Sequence, residues 1–251
     1  MILSLLLAAA QTAPAPPAPA PSPLEERYDR CIGSATRQPA VAESEASQWL
    51  LQGGSFLAHQ CLGIAYATEM RWTAAATEFE LAARGAEAAK DMRGAFYWAQ
   101  AGNAWLAAKD AVKARAALDA ALSPGSLKGI QRGEAFLDRA RAFFAGGDVT
   151  AARADLDRAL VDAADDPLAW LLSATLARRG GDLPRAKADI AEALKRSSDD
   201  AAVQLEAGNI AASAGDEAGA KNAWDKAANL QPGSDANRAA RTALLQFEVK
   251  P

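Results

Sequence analysis

Apolar residues in the second half of the chain recur at steps of three and four, the spacing that places them on one side of a helix. Ala220, Trp224 and Ala227 form one such stripe, Ala186, Ile190 and Ala193 a second, and Ala152, Leu156 and Ala159 a third. The stripes lie one fixed interval apart, and so does the punctuation between them. Asp148, Asp182 and Asp216 each follow a glycine (Gly147, Gly181, Gly215), with a step of 34 residues both times, and Asp166, Asp200 and Ser234 keep that step. A glycine ends one helix in the left-handed conformation, and the following Asp or Ser caps the next. Each period therefore holds two helices and two turns. No run of alternating Val, Ile or Thr predicts a strand.

The interior of the period resembles the tetratricopeptide repeat: a small residue on the first helix, then Ala, a large residue and Ala on the second, then Pro. In residues 201–234 these are Gly208, Ala220, Trp224, Ala227 and Pro232. Working backwards, 167–200 supplies Trp170, Ala174, Ala186, Ile190 and Ala193, and 133–166 supplies Phe136, Ala140, Ala152, Leu156 and Ala159. Residues 95–128 contribute Trp98, Gly102, Trp105, Ala114, Leu118 and Ala121, and 56–89 contribute Leu62, Gly63, Tyr66, Ala75, Phe79 and Ala82. The two earliest repeats start 39 and 38 residues before the next, so their connections are longer. The resemblance implies an all-α, right-handed superhelical solenoid of five helical hairpins across 55–234. Residues 24–54 read as a degenerate capping helix pair turning near Gln38-Pro39, and 235–251 as a capping helix and tail, since the end units of solenoids meet solvent on one face.

The start of the chain has a different character. Its first 23 residues carry no charge. Residues 2–10, ILSLLLAAA, are a signal-peptide-like run too short to span a bilayer. Residues 11–23 alternate Pro and Ala as a semi-rigid linker. These features predict export to the periplasm or another extracytoplasmic space, and no stable membrane span in the mature chain. A cytoplasmic chain with a greasy start is the alternative, because no Lys or Arg precedes the apolar run.

Two cysteines, Cys31 and Cys61, fall on first helices of adjacent units. In a reducing cytoplasm they read as two small buried residues; in an oxidising compartment they read as a disulfide. The pair and a single histidine give no metal-ligand spacing, and His59 falls where the resemblance places a large core residue. Acidic pairs such as Asp165-Asp166 sit at helix starts, where capping explains them. With no nucleophile beside an orienting base, no phosphate loop and no cofactor motif, the sequence predicts a non-catalytic chain. The formal net charge is −4 with both signs interspersed, which lacks the basic stripe of a nucleic-acid binder.

The resemblance also implies a groove lined by the first helices, at residues one, four, eight and eleven after each repeat's start. Among the positions that this rule gives, the candidates are Gln60, Phe96, Asn103, Arg141, Phe144, Thr175, Arg178 and Asn209. The groove is expected to be apolar with sparse polar points, its amides holding backbone groups of a bound peptide or helix and its arginines meeting a carboxylate. The family's carboxylate clamp is matched only by Asn103 and Arg141, with Gln60, Ile64 and Leu137 departing from it. The function these features predict is a protein-protein interaction module or adaptor of the bacterial cell envelope. A cytoplasmic adaptor is the runner-up, and an envelope enzyme using the repeats as scaffold comes third.

Overall fold

The computed structural model describes residues 22–123 and 125–248; the signal-like segment and almost all of the Pro/Ala stretch lie outside them. The described residues form thirteen α-helices and no strand. The first pair is α1 (Pro23–Arg37) and α2 (Pro39–Leu51). Five hairpins follow: α3 (Phe56–Thr68) with α4 (Trp72–Ala88), α5 (Gly94–Ala107) with α6 (Ala111–Leu122), and α7 (Gly129–Ala145) with α8 (Val149–Asp162). Next come α9 (Pro167–Arg179) with α10 (Leu183–Arg196), and α11 (Ala201–Ser213) with α12 (Glu217–Asn229); α13 (Asp235–Glu248) closes the array. Each helix packs on its neighbours in sequence, and α1–α3, α5–α7, α9–α11 and α11–α13 also meet, so the molecule is an all-α helical solenoid.

Caps set the helix starts. The carboxylates of Asp148, Asp182 and Asp216 accept the backbone N–H three residues on at 3.0, 3.1 and 2.9 Å. Asp110 does the same for α6 at 3.0 Å, and Asp166 and Asp200 cap α9 and α11. Each such cap stabilises its helix by about 1 kcal/mol. In the first two hairpins the left-handed position that Gly147, Gly181 and Gly215 occupy is taken by Met70 and Lys109, and Lys90 is left-handed in the connection between α4 and α5. Helix α7 begins at Gly129, one turn before the repeat interior at Gly133, and fills part of the longer connection.

Inside each hairpin a small residue of the first helix meets a large residue sixteen positions later. A Cβ on Gly208 would lie 2.3 Å from the Trp224 ring, one on Gly102 2.4 Å from Leu118, and one on Gly63 2.7 Å from Phe79. Ala140 with Leu156, and Ala174 with Ile190, take the same places in the two remaining hairpins. Small residue against large side chain is how two helix backbones come close without leaving a void.

The core also holds charge. Buried Asp155 accepts two hydrogen bonds from Arg139 (2.7 and 2.9 Å), and Arg139 reaches back to Asp119 on α6 at 2.7 Å. Asp189, 34 residues later, is also buried and accepts from Ser173, whose hydroxyl oxygen receives a bond from Arg153 at 2.8 Å. Arg185 joins Asp189 to Asp157. These pairs tie α6, α7, α8, α9 and α10 together away from the first-helix face. His59 is half-buried and bonds Glu78 at 2.7 Å, a structural contact between α3 and α4.

The structure bridges Cys31 and Cys61, with Cα atoms 6.0 Å apart and both side chains fully buried. The bond joins α1 to α3. No helix among the described residues is long and apolar enough to cross a membrane.

Candidate functional site

Three pockets open in a row between successive first helices. One of about 390 Å3 lies between α3 and α5, lined by Ile64, Ala67, Trp72, Phe79, Gln100 and Asn103. A second, of about 250 Å3 between α5 and α7, is lined by Phe96, Gln100, Asn103, Gln131, Glu134 and Asp138. The third, of about 240 Å3, lies between α7 and α9. Arg141 and Phe144 form one wall, Leu172, Thr175 and Leu176 the other, and Ala152 and Leu156 of α8 the floor.

A ladder of side-chain hydrogen bonds crosses the same face, and its acceptors share one position. Gln100, Asp138 and Glu206 each stand five residues after the start of their repeat. Gln60 donates to Gln100 at 3.2 Å and itself accepts from the Tyr28 hydroxyl. Asp138 accepts from Asn103 of the preceding hairpin at 2.9 Å and from Arg141 at 2.8 Å. Glu206 accepts from Arg178 of the preceding hairpin at 2.6 and 3.2 Å and from Asn209 at 3.2 Å, and Asn209 in turn accepts from Trp224 Nε1 at 3.1 Å. In the fourth repeat the equivalent residue is Leu172. It offers no acceptor, and there the third pocket opens with mainly carbon walls.

Helices α5 and α7 pack directly on each other, as do α9 and α11, whereas α7 and α9 approach less closely. Close packing accompanies a side-chain bridge at α5–α7 and α9–α11, while α3–α5, bridged by Gln60 and Gln100, is as open as α7–α9.

No family model matches the sequence, and no curated protein does. Solved structures match in shape. PilW, a widely conserved type IV pilus biogenesis factor, aligns with a TM-score of 0.72 over 90% of this chain and 100% of its own, at 18% identity. PilF of Pseudomonas aeruginosa aligns with a TM-score of 0.70 over 88% of this chain and 100% of its own, at 19% identity. YrrB, described as a TPR protein with an unusual peptide-binding site, aligns at 0.55 over 74% and 90%, at 19% identity. The chain has the tetratricopeptide-repeat fold.

Against that fold, the eight residues chosen from sequence divide into two groups. Phe96, Asn103, Arg141, Phe144 and Thr175 line the row of pockets of the tetratricopeptide array. Gln60 does not: it is 4% exposed and spent on Tyr28 and Gln100, because the cap helix α1 packs over its end of α3. Arg178 and Asn209 are also committed, both to Glu206, and so do not stand ready for a ligand carboxylate or peptide backbone. Arg141 carries its own counter-ion, Asp138. The Thr175 hydroxyl donates to the Leu171 carbonyl at 2.9 Å, which leaves its methyl to the pocket.

The spacing rule of one, four, eight and eleven passed over the ladder acceptors entirely. Adding the fifth position would have found Gln100, Asp138, Leu172 and Glu206 together. The tryptophans are structural in the main: Trp49, Trp105 and Trp224 are buried, Trp98 and Trp170 half-buried with their indole N–H bonded to Glu87 and to the Ala164 carbonyl at 2.7 Å. Trp72 opens α4 and lines the first pocket.

Proposed function

We propose that this chain is a non-catalytic adaptor that holds an extended segment of a partner protein across its first helices, with the α7–α9 pocket as the anchor. The observation that carries the reading is the third pocket: where Leu172 stands in place of an acceptor, a space of about 240 Å3 with mainly carbon walls opens between α7 and α9. A pocket with few polar groups to satisfy accepts an apolar side chain, and the polar ladder on either side fixes the wall geometry beforehand, which lowers the entropic cost of binding. That YrrB is described as having a peptide-binding site, and PilW as a pilus biogenesis factor, supports an interaction role on this fold.

The setting we propose is the bacterial cell envelope, outside the cytoplasm. Support comes from the buried Cys31–Cys61 bridge, since such bonds persist in oxidising compartments, and from the signal-like residues 2–10. Two experiments test these statements separately. A photocrosslinking amino acid in place of Thr175 is expected to yield a protein adduct in cells, and one in place of exposed Lys187 on α10 none; equal labelling from both positions contradicts the groove. For the compartment, Cys31 and Cys61 are expected to resist alkylation in intact cells until reductant is added, and two freely alkylated thiols contradict it.

A further inference from the structure

The second pocket has a chemistry that the first and third lack. Phe96 is 37% exposed at its mouth, and Glu134 stands on the facing wall of α7. Two arginines of the first-helix face are already neutralised, Arg141 by Asp138 and Arg178 by Glu206. Among the described residues Glu134 has no such ion pair; burial, with Asp166 and Asp138 beside it, raises its affinity for a proton. An exposed aromatic ring beside an uncompensated carboxylate suits a cationic side chain, whose aliphatic stem covers the ring while its charge meets the acid.

This pocket and the apolar one flank the same helix. Glu134 and Phe144 lie ten residues apart on α7, about 15 Å along its axis, and the helix with its side chains is about 10 Å across, so an extended chain covers the diagonal in about five residues. A single strand of partner laid over α7 therefore reaches both at once.

Resting on the reading of the face as a peptide groove, we propose that its ligand is a segment carrying Lys or Arg about five residues from a large apolar residue. The base is seated between Phe96 and Glu134, and the apolar side chain against Leu172 and Phe144. The preference is opposite in sign to that of a groove built to clamp a carboxylate.

The test is selection of a random dodecapeptide phage library on the full chain, followed by anisotropy measurements with a fluorescein-labelled copy of the winning sequence. The expected result is enrichment of Lys or Arg about five positions from Leu, Ile, Met or Phe. For the labelled peptide, Glu134→Gln is expected to weaken binding about three- to fivefold at low salt, the size of an exposed ion pair. Replacing the peptide's base with Gln should cost the same factor on the native chain and nothing further on Glu134→Gln. Leu172→Glu should abolish binding while circular dichroism shows the helices intact. Enrichment of acidic peptides, or binding lost with Leu172→Glu but untouched by Glu134→Gln, overturns the basic-residue preference and leaves the groove standing. No enrichment, or peptides indifferent to Leu172→Glu, overturns both.

Discussion

The junction between α9 and α11 and the junction between α7 and α9 are built from the same repeat, yet one is closed and the other open. At the first, Arg178 reaches across to buried Glu206 with two bonds, and Asn209 and Trp224 complete the network. At the second, Arg141 turns back onto its own helix to Asp138, and Leu172 faces a pocket. At these two junctions the difference goes with one side chain: the carboxylate five residues into the last repeat holds Arg178 of the preceding helix, and the leucine in the same place holds nothing of α7. In a solenoid, whose stability is roughly a sum of repeat and interface terms, a junction can be loosened locally without loss of the whole.

The largest expected effect comes from the most strongly held junction. The Cys31–Cys61 bridge ties α1 to α3 across 30 residues, and its removal by Cys31→Ser with Cys61→Ser should cost roughly 3 to 4 kcal/mol on the chain-entropy model, read by urea unfolding. Next is Arg178→Ala. It strands a buried carboxylate and should cost about 2 to 3 kcal/mol, whereas Thr175→Ala at the open junction should cost about 0.5 kcal/mol or less. Equal losses from these two would erase the distinction between the junctions. Asn103→Ala, which removes the bond to Asp138, should fall between them at about 1 kcal/mol.

The reason some of this was readable from sequence is local. Capping depends on one residue and its next three, so Asp148, Asp182 and Asp216 announced their helices, and the small-large pairing of Gly208 with Trp224 announced the hairpin. The early turns were less plain because Met70, Lys90 and Lys109 adopt a left-handed conformation usually signalled by glycine. The ladder was missed for a different reason: whether Gln60 faces solvent or Tyr28, and whether Arg178 is free or paired, depends on residues 28 to 32 positions away in other repeats. Buried Asp155 and Asp189 read as surface charges until Arg139 and Ser173 are placed against them.

A smaller effect is expected from pH. Arg93 holds the Asp91 carboxyl at about 2, below its ordinary 3.8, so the folded state binds that proton less readily than the unfolded chain. Its contribution is present above pH 3.8 and is lost as pH falls toward about 2. Glu134 has the opposite sign: its proton is held more tightly when folded, so its carboxylate opposes folding above its ordinary 4.5. Acid titration of Asp91→Asn should therefore give a shallower loss of stability than the native chain, and Glu134→Gln a slightly higher melting midpoint at pH 7. A lower midpoint for Glu134→Gln would mean that its carboxylate has a partner in the fold.

The most direct test of the junction account is a double-mutant cycle between Leu172→Glu and Arg141→Met, measured by urea unfolding. If position 172 decides whether the ladder continues, the new carboxylate will take up Arg141 as Asp138 takes up Asn103. Leu172→Glu will then be tolerated with Arg141 present, with a favourable coupling of about 0.5 to 1 kcal/mol that vanishes in Arg141→Met. A cycle that closes with no coupling would contradict the claim that an acceptor at position 172 is all the ladder needs to continue from α7 to α9.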